Sequence, residues 1–253
     1  MEFKMADHIH MRMSLAVQVI DDFTNRVVTG QQVQVRILGE PKPIRKAEGY
    51  YIFLNLKERK TRLKITASQF LDYEESVDID AMNPLEPVIK ARLKPNRCYS
   101  LPQGTTCVEG KASPGTTLRL VCPDSTGYYR LMADYQGGEE REINIFHPAQ
   151  MEMEGKSFCI RNKEKKQGED FMVSRVVDSA CGRYQLAEHL KHAYQKVSAR
   201  IYPILLMEAD ANGEFFAPLT FLEKEHTKVS IRIPGEKKER ECELEYGTVN
   251  QIL

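Results

Sequence analysis

The stretch KAEGYYIFLNL, residues 46 to 56, decides how the rest of the chain is read. A glycine follows polar residues, then come two tyrosines and an apolar alternation. The order returns as STGYYRLMADY at 125–135 and, in weaker form, as ANGEFFAPLTF at 211–221. A residue without Cβ takes the positive φ that ends a tight turn, so Gly49, Gly127 and Gly213 belong to connections. The aromatics after them begin strands, where neighbouring side chains point to opposite faces. One aromatic of each pair is therefore expected in a core and its neighbour on an outer face or interface. Gly49 to Gly127 spans 78 residues and Gly127 to Gly213 spans 86, which fits three units of similar size and marks the motif as scaffold.

Around the first copy, LAVQVIDDFTNRVVTGQQVQVRILG (15–39) alternates apolar and polar residues at Val17 and Val19 and again at Val33, Val35 and Ile37. Period two means half-buried strands. TRLKITA and ESVDIDA alternate in the same way, and Pro84, Pro87 and Pro95 punctuate a last edge strand before a linker. Short strands with frequent turn signals are the pattern of a sandwich. The predicted division is 1–95, a β-sandwich with a short N-terminal extension; 96–150, a second, smaller β unit; and 151–253, a β-rich unit with one amphipathic helix near 183–197. Leu186, Leu190, Ala193 and Val197 carry that helix, falling on one face at i, i+4, i+7 and i+11.

Lys plus Arg and Asp plus Glu both number 36, and each segment is close to neutral, so no global field draws the chain to nucleic acid or an anionic membrane. The basic run KERKTRLK (57–64) is flanked by acidic residues and is expected to be a solvated hairpin. No stretch approaches the roughly 20 apolar residues of a membrane span, and the first residues lack the apolar core of an export signal. The expected setting is cytoplasmic, with all six cysteines reduced. Their irregular spacing, without a CxxC pair, gives no zinc site.

The order DDFTNRVVTGQQVQVRILG, EGYYIFLNL, TRLKITASQFLDYEESVDI resembles the transthyretin-like, carboxypeptidase-regulatory-like β-sandwich family, an immunoglobulin-like architecture. NRVVTGQQVQV (25–35) matches its second element, with Val27 where proline is common, and EGYYIF (48–53) matches its glycine-aromatic turn. Phe70 and Leu71 stand where a glycine and an aromatic are usual. The likeness covers about 14–92 well and 105–146 in part. It implies tandem transthyretin-like sandwiches. Most such domains are extracellular, but components of phage-like contractile injection particles carry them in the cytoplasm, which points to an assembly subunit. The fold alone assigns no chemistry.

Candidate chemistry is sparse. Asp178, Cys181, His189 and His192 hold the parts of a thiolate–imidazole pair, but nearness in sequence is poor evidence for one, and a small buried thiol beside solvent-facing histidines is the favoured reading. EHLKH lacks the histidine spacing of a zinc-protease motif. His8 and His10, and His147 before Pro148, supply no ligand set. Asp21–Asp22 sits at a strand end, where carboxylates are commonplace. No catalytic residue, cofactor or metal is expected. The expected function is that of a non-catalytic structural or adaptor protein binding other subunits, copies of itself included, with Tyr50, Tyr128 and Phe216 as interface aromatics. The alternative is a carbohydrate- or surface-ligand-binding module, which the absence of Trp disfavours.

Overall fold

The computed structural model describes residues 12–30, 33–122, 129–148, 152–162, 168–219, 226–235 and 239–253. Among them the chain is mainly β, with nineteen strands and a single 3-10 turn, Ile79–Ala81. Two compact units divide it, Met1–Leu101 and Pro102–Leu253.

The first unit contains β1 (Met13–Asp21), β2 (Gln34–Ile37), β3 (Ile44–Arg45), β4 (Tyr50–Leu54), β5 (Lys60–Thr66), β6 (Tyr73–Asp78) and β7 (Val88–Leu93). They form one sheet in the order β3-β4-β1-β7 and another in the order β2-β5-β6. Alternation puts Leu15, Val17 and Val19 of β1 with Tyr51, Phe53, Ala91 and Leu93 into one core, which Val35, Ile37, Leu63, Ile65 and Val77 of the other sheet complete. Each Val, Leu, Ile or Phe side chain among them contributes about 1.5–3 kcal/mol on burial. β1 pairs with β7 in parallel. Parallel neighbours need a long crossover, which here is the intervening second sheet. Gly49 takes φ 79° in the turn before β4, as its place in the motif requires.

The second unit contains β8 (Cys107–Lys111), β9 (Thr117–Val121), β10 (Arg130–Leu131), β11 (Glu142–Phe146), β12 (Ser157–Asn162), β13 (Gly168–Asp178), β14 (Arg183–Leu186), β15 (Ala199–Glu208), β16 (Glu214–Pro218), β17 (His226–Arg232), β18 (Arg240–Glu245) and β19 (Val249–Gln251). Nine of them form one sheet, β10-β11-β14-β13-β12-β15-β9-β17-β18, and three more form β16-β8-β19. Register shifts in β13 at Val173/Arg175 and Val176/Asp178 bend the large sheet. It curls until β10 lies against β15, enclosing a core that includes Tyr129, Ile145, Phe158, Phe171, Tyr184 and Tyr194. A second core joins Leu118, Leu120, Met207, Val229 and Leu244 of the large sheet to Val108, Phe215 and Ala217 of the small one. β15 is long enough to feed both, through Ala199 and Ile201 at one end and Met207 at the other.

The expected boundary near 150 is crossed by the ladders: β9 pairs with β15 and β17, and β8 with β16. Residues 96–150 and 151–253 therefore share sheets.

The amphipathic helix over 183–197 is not formed. Arg183–Leu186 is a strand between β11 and β13, with Tyr184 and Leu186 buried at period two. Beyond it the amides are taken by distant partners: Ala187 N donates to Met172 O at 2.9 Å, Leu190 N to Tyr135 OH at 3.1 Å and Lys196 N to Asp134 Oδ1 at 2.8 Å. Leu190 is buried, but Val197 is 73% exposed and Ala193 faces solvent, so the i+4 spacing is coincidental. A helix would forfeit these bonds and expel Tyr184 and Tyr194 from the core.

Candidate protein-interaction surface

On β4 the motif separates its side chains as expected. Tyr51 and Phe53 enter the core, while Tyr50, Ile52 and Leu54 lie half-buried on the outer face of their sheet. The register extends that face across every strand of the sheet, since Ile44 is opposite Ile52, Ile52 opposite Ala16 and Ala16 opposite Val88. Ile44 is 48% exposed and Met13, opposite Leu54, is also exposed. This apolar row across four strands is buried at its centre, where Ala16 is 4% exposed, and open at Ile44, Ile52 and Val88; on a solvent face polar residues normally alternate with the core positions.

Beside this row lies a cleft of about 640 Å³, lined by residues 39–42 and 52–57 and by Ile44. Its origin is local. Pro41 and Pro43 have no N–H to give to a ladder, and a residue before proline is held extended, so the chain joins β4 only from Ile44 onward. Before that point residues 39–43 and 53–57 diverge. Asn55, at φ 49°, donates its N–H to Arg12 O at 3.0 Å and accepts Arg12 N at its Oδ1 at 3.0 Å. Ser14 Oγ accepts Leu56 N at 3.0 Å, which satisfies the register shift in β1. Lys42 and Lys57 flank the cleft, and its one acidic side chain, Glu40, accepts the Lys57 amide at 3.2 Å.

Of the aromatics named from sequence, Tyr50 belongs to this face. Tyr128 lies outside the described residues, as do His8, His10 and Gly127; Tyr129, its neighbour, is in a core. Phe216 is half-buried on β16 opposite Glu109, and Phe215 beside it is buried. Phe216 is in the second unit and Tyr50 in the first. Sequence reasoning passed over Ile44, Ile52 and Leu54, although YYIFL is apolar on both faces and that pattern signals a strand face with something to cover.

Cys181 is exposed rather than buried, and its hydrogen bond with Asp178, together with that carboxylate's charge, raises its pKa, the opposite of an activated nucleophile. Burial likewise pushes up the Cys159 thiol. His189 is exposed, while the ring of His192 meets Glu169 at 2.8 Å. Glu169 also accepts Lys191 N at 2.7 Å, His192 N at 3.0 Å and Tyr194 OH at 3.0 Å. Burial alone would raise its pKa, but these bonds outweigh that and hold it below the ordinary value. Asp21 is buried rather than solvated; it caps its turn by accepting Phe23 N at 2.9 Å and Thr24 Oγ1 at 2.7 Å, and it also accepts Tyr99 OH. His147 bonds Tyr184 OH. Among the described residues no group of three or more His, Cys, Asp or Glu side chains is placed to hold a metal.

The basic run faces β6 and the 3-10 turn after it as a ladder of ion pairs: Arg59–Asp80 at 2.7 Å, Lys60–Asp78 at 3.5 Å, Arg62–Glu74 at 3.8 Å and Lys64–Glu74 at 2.9 Å. On the large sheet Arg119 grips Asp170 through two contacts of 2.5 Å and reaches Glu239 at 3.4 Å. Glu239 also contacts Arg161 at 3.4 Å and accepts Ser230 Oγ at 2.5 Å. Two directly opposed arginine pairs, Arg119–Arg232 and Arg161–Arg200, lie on this sheet, and the carboxylates contact one member of each, Arg119 and Arg161. No disulfide joins any of the six cysteines.

No family model matches the chain, and no curated protein matches it significantly. Among solved structures, a mutant of the shaft pilin SpaA from Lactobacillus rhamnosus GG aligns over 94% of this chain and 95% of its own, at 9% identity and a TM-score of 0.22. At that score the likeness carries nothing about this chain's fold or task.

Proposed function

We propose that this chain is a non-catalytic structural or adaptor protein that works through protein–protein contacts. Its first unit is taken as a transthyretin-like β-sandwich that presents a binding face. The observation that supports this is the open apolar set Ile44, Ile52 and Val88, in register about the buried Ala16 on the outer face of the four-stranded sheet, with Tyr50 and Leu54 beside it. Half-buried aliphatic and aromatic residues on a rigid sheet are the material of an interface centre. Of the groups with shifted pKa described above, Glu169 anchors a loop and both thiols are pushed up, Cys181 by Asp178 and Cys159 by burial.

The assembly favoured by the resemblance of residues 14–92 is a particle of the contractile-injection kind, built in the cytoplasm. Gradient sedimentation of native lysate tests the proposal. Wild-type protein is expected in a heavy fraction with other proteins, and Ile52→Glu, a change on the outer face, is expected to move it to the light fractions. A free monomer under expressing conditions, together with specific binding on a glycan array, would replace this reading with that of a carbohydrate-binding module.

A further inference from the structure

We infer that the cleft between residues 39–44 and 52–57 is a strand-addition site for an extended segment of a partner protein in which apolar residues alternate with carboxylates. This rests on the proposal that the chain acts through protein contacts and specifies where and how. The first support is the direction of the β4 backbone. Lys46 N donates to Tyr50 O at 2.8 Å, so the polar backbone groups of Tyr50 face β3. Antiparallel pairing alternates direction residue by residue, which turns Ile52 and Leu54 the same way and Tyr51, Phe53 and Asn55 toward β1. Asn55 confirms the alternation by donating to Arg12 O at 3.0 Å.

The β3 ladder ends at Ile44–Ile52. Leu54 therefore presents its N–H and C=O to the cleft, with no strand opposite on that side among the described residues. An extended peptide entering there continues the sheet by main-chain hydrogen bonds, and its alternate side chains fall on the face shared by Ile44, Ile52 and Leu54. Leu38, 90% exposed in the turn just before the cleft, adds apolar surface at its mouth.

Charge selects the other residues of the segment. Lys42 and Lys57 flank the cleft, and neither is in an ion pair among the described residues. Arg12 is exposed and its amide bonds the Asn55 side chain at the same end. Against these three cationic side chains the cleft has one carboxylate, Glu40, which accepts the Lys57 amide at 3.2 Å. The rim is thus net cationic, which complements an acidic segment and repels a basic one.

The test uses the whole chain and three heptapeptides: valine alternating with aspartate, valine alternating with lysine, and the aspartate peptide N-methylated on alternate amides. The aspartate peptide is expected to bind and to shift the Leu54 amide resonance. The lysine peptide should bind about tenfold more weakly, since two exposed pairs change from attraction to repulsion at ~0.2–1 kcal/mol each. N-methylation on the paired edge should abolish binding. Lys42→Glu with Lys57→Glu should invert the preference; both side chains are exposed, and unchanged thermal unfolding verifies the fold. Absence of binding by the aspartate peptide, equal binding of both charge types, or resonance shifts confined to other strands each overturns the inference. Sedimentation of the double charge variant separates the two levels. If it remains in the heavy fraction while the peptide fails to bind, the cleft assignment falls and the assembly reading stands. If wild type itself sediments alone, the assembly reading falls.

Discussion

Replacing Glu169 should loosen the loop that stands where a helix was expected. The carboxylate, 14% exposed, receives two backbone amides, a histidine ring and a tyrosine hydroxyl, and so fixes residues 191–194 to β13. A hydrogen bond to a charged group contributes a net ~1.5–3 kcal/mol, but the donors of Lys191 and His192 are close to water and regain part of that when released. Glu169→Ala is therefore expected to cost about 3 kcal/mol. Glu169→Gln should cost about 1–2 kcal/mol, because one oxygen survives while the Lys191 amide meets an NH2 group. For a domain of this size 1 kcal/mol moves Tm by roughly 2–4 °C, so Ala should lower the transition of the second unit by about 6–12 °C. Hydrogen exchange at the Lys191 and His192 amides should accelerate in both variants.

The pH dependence has a fixed sign. The folded pKa of Glu169 is depressed, so its stabilisation is fully present above the ordinary glutamate pKa and disappears as pH falls through the folded value. The gap between wild type and Glu169→Gln should accordingly close on acidification. Variants within about 0.5 kcal/mol of wild type at neutral pH, with unchanged exchange at both amides, would refute the anchoring role.

Two further outcomes follow from local geometry. Gly213→Ala should destabilise by at least about 1 kcal/mol more than Gly104→Ala in chemical denaturation: both sit at positive φ, but a Cβ on Gly213 would lie 2.3 Å from the Ala112 carbonyl oxygen and one on Gly104 meets nothing within 4 Å. Cys181→Ala should leave any activity found for the chain within about threefold, since its thiol is held protonated; a selective loss of several orders of magnitude in a folded variant would establish it as a nucleophile.

Much of the first unit was legible because β2 and β5 are half-buried: Val35 and Ile37, and Leu63 and Ile65, alternate with polar neighbours, and the core follows that alternation. β1 is buried on both faces, and only Gln18 between Val17 and Val19 shows the period. β12 gave no such signal. Phe158, Cys159 and Ile160 are all buried, two in a core and Cys159 on the opposite side of the strand, so period two is lost. The helix prediction failed for a related reason: Leu190 and Tyr194 are held by partners from Glu169 and Tyr135, many residues away, and no local pattern encodes those bonds. At the candidate surface, Tyr50 was visible in the motif. The cleft was not, because it depends on where the β3 ladder stops, and the prolines that stop it look like ordinary turn residues in the sequence.

The strand order of the second unit also sets a timetable for synthesis. β9 leaves the ribosome roughly 80 residues before the first residue of β15, and at ~5–20 residues per second that is a wait of about 4–16 s with its apolar face unpaired. β8 waits longer still, because its neighbours are β16 and the parallel β19, Val249–Gln251. Leu118, Leu120 and Val108 are thus open to trigger-type holdases or to the same segment on an adjacent nascent chain until translation is nearly over. Cells that make this protein quickly should accumulate it in inclusion bodies unless the waiting strands are shielded.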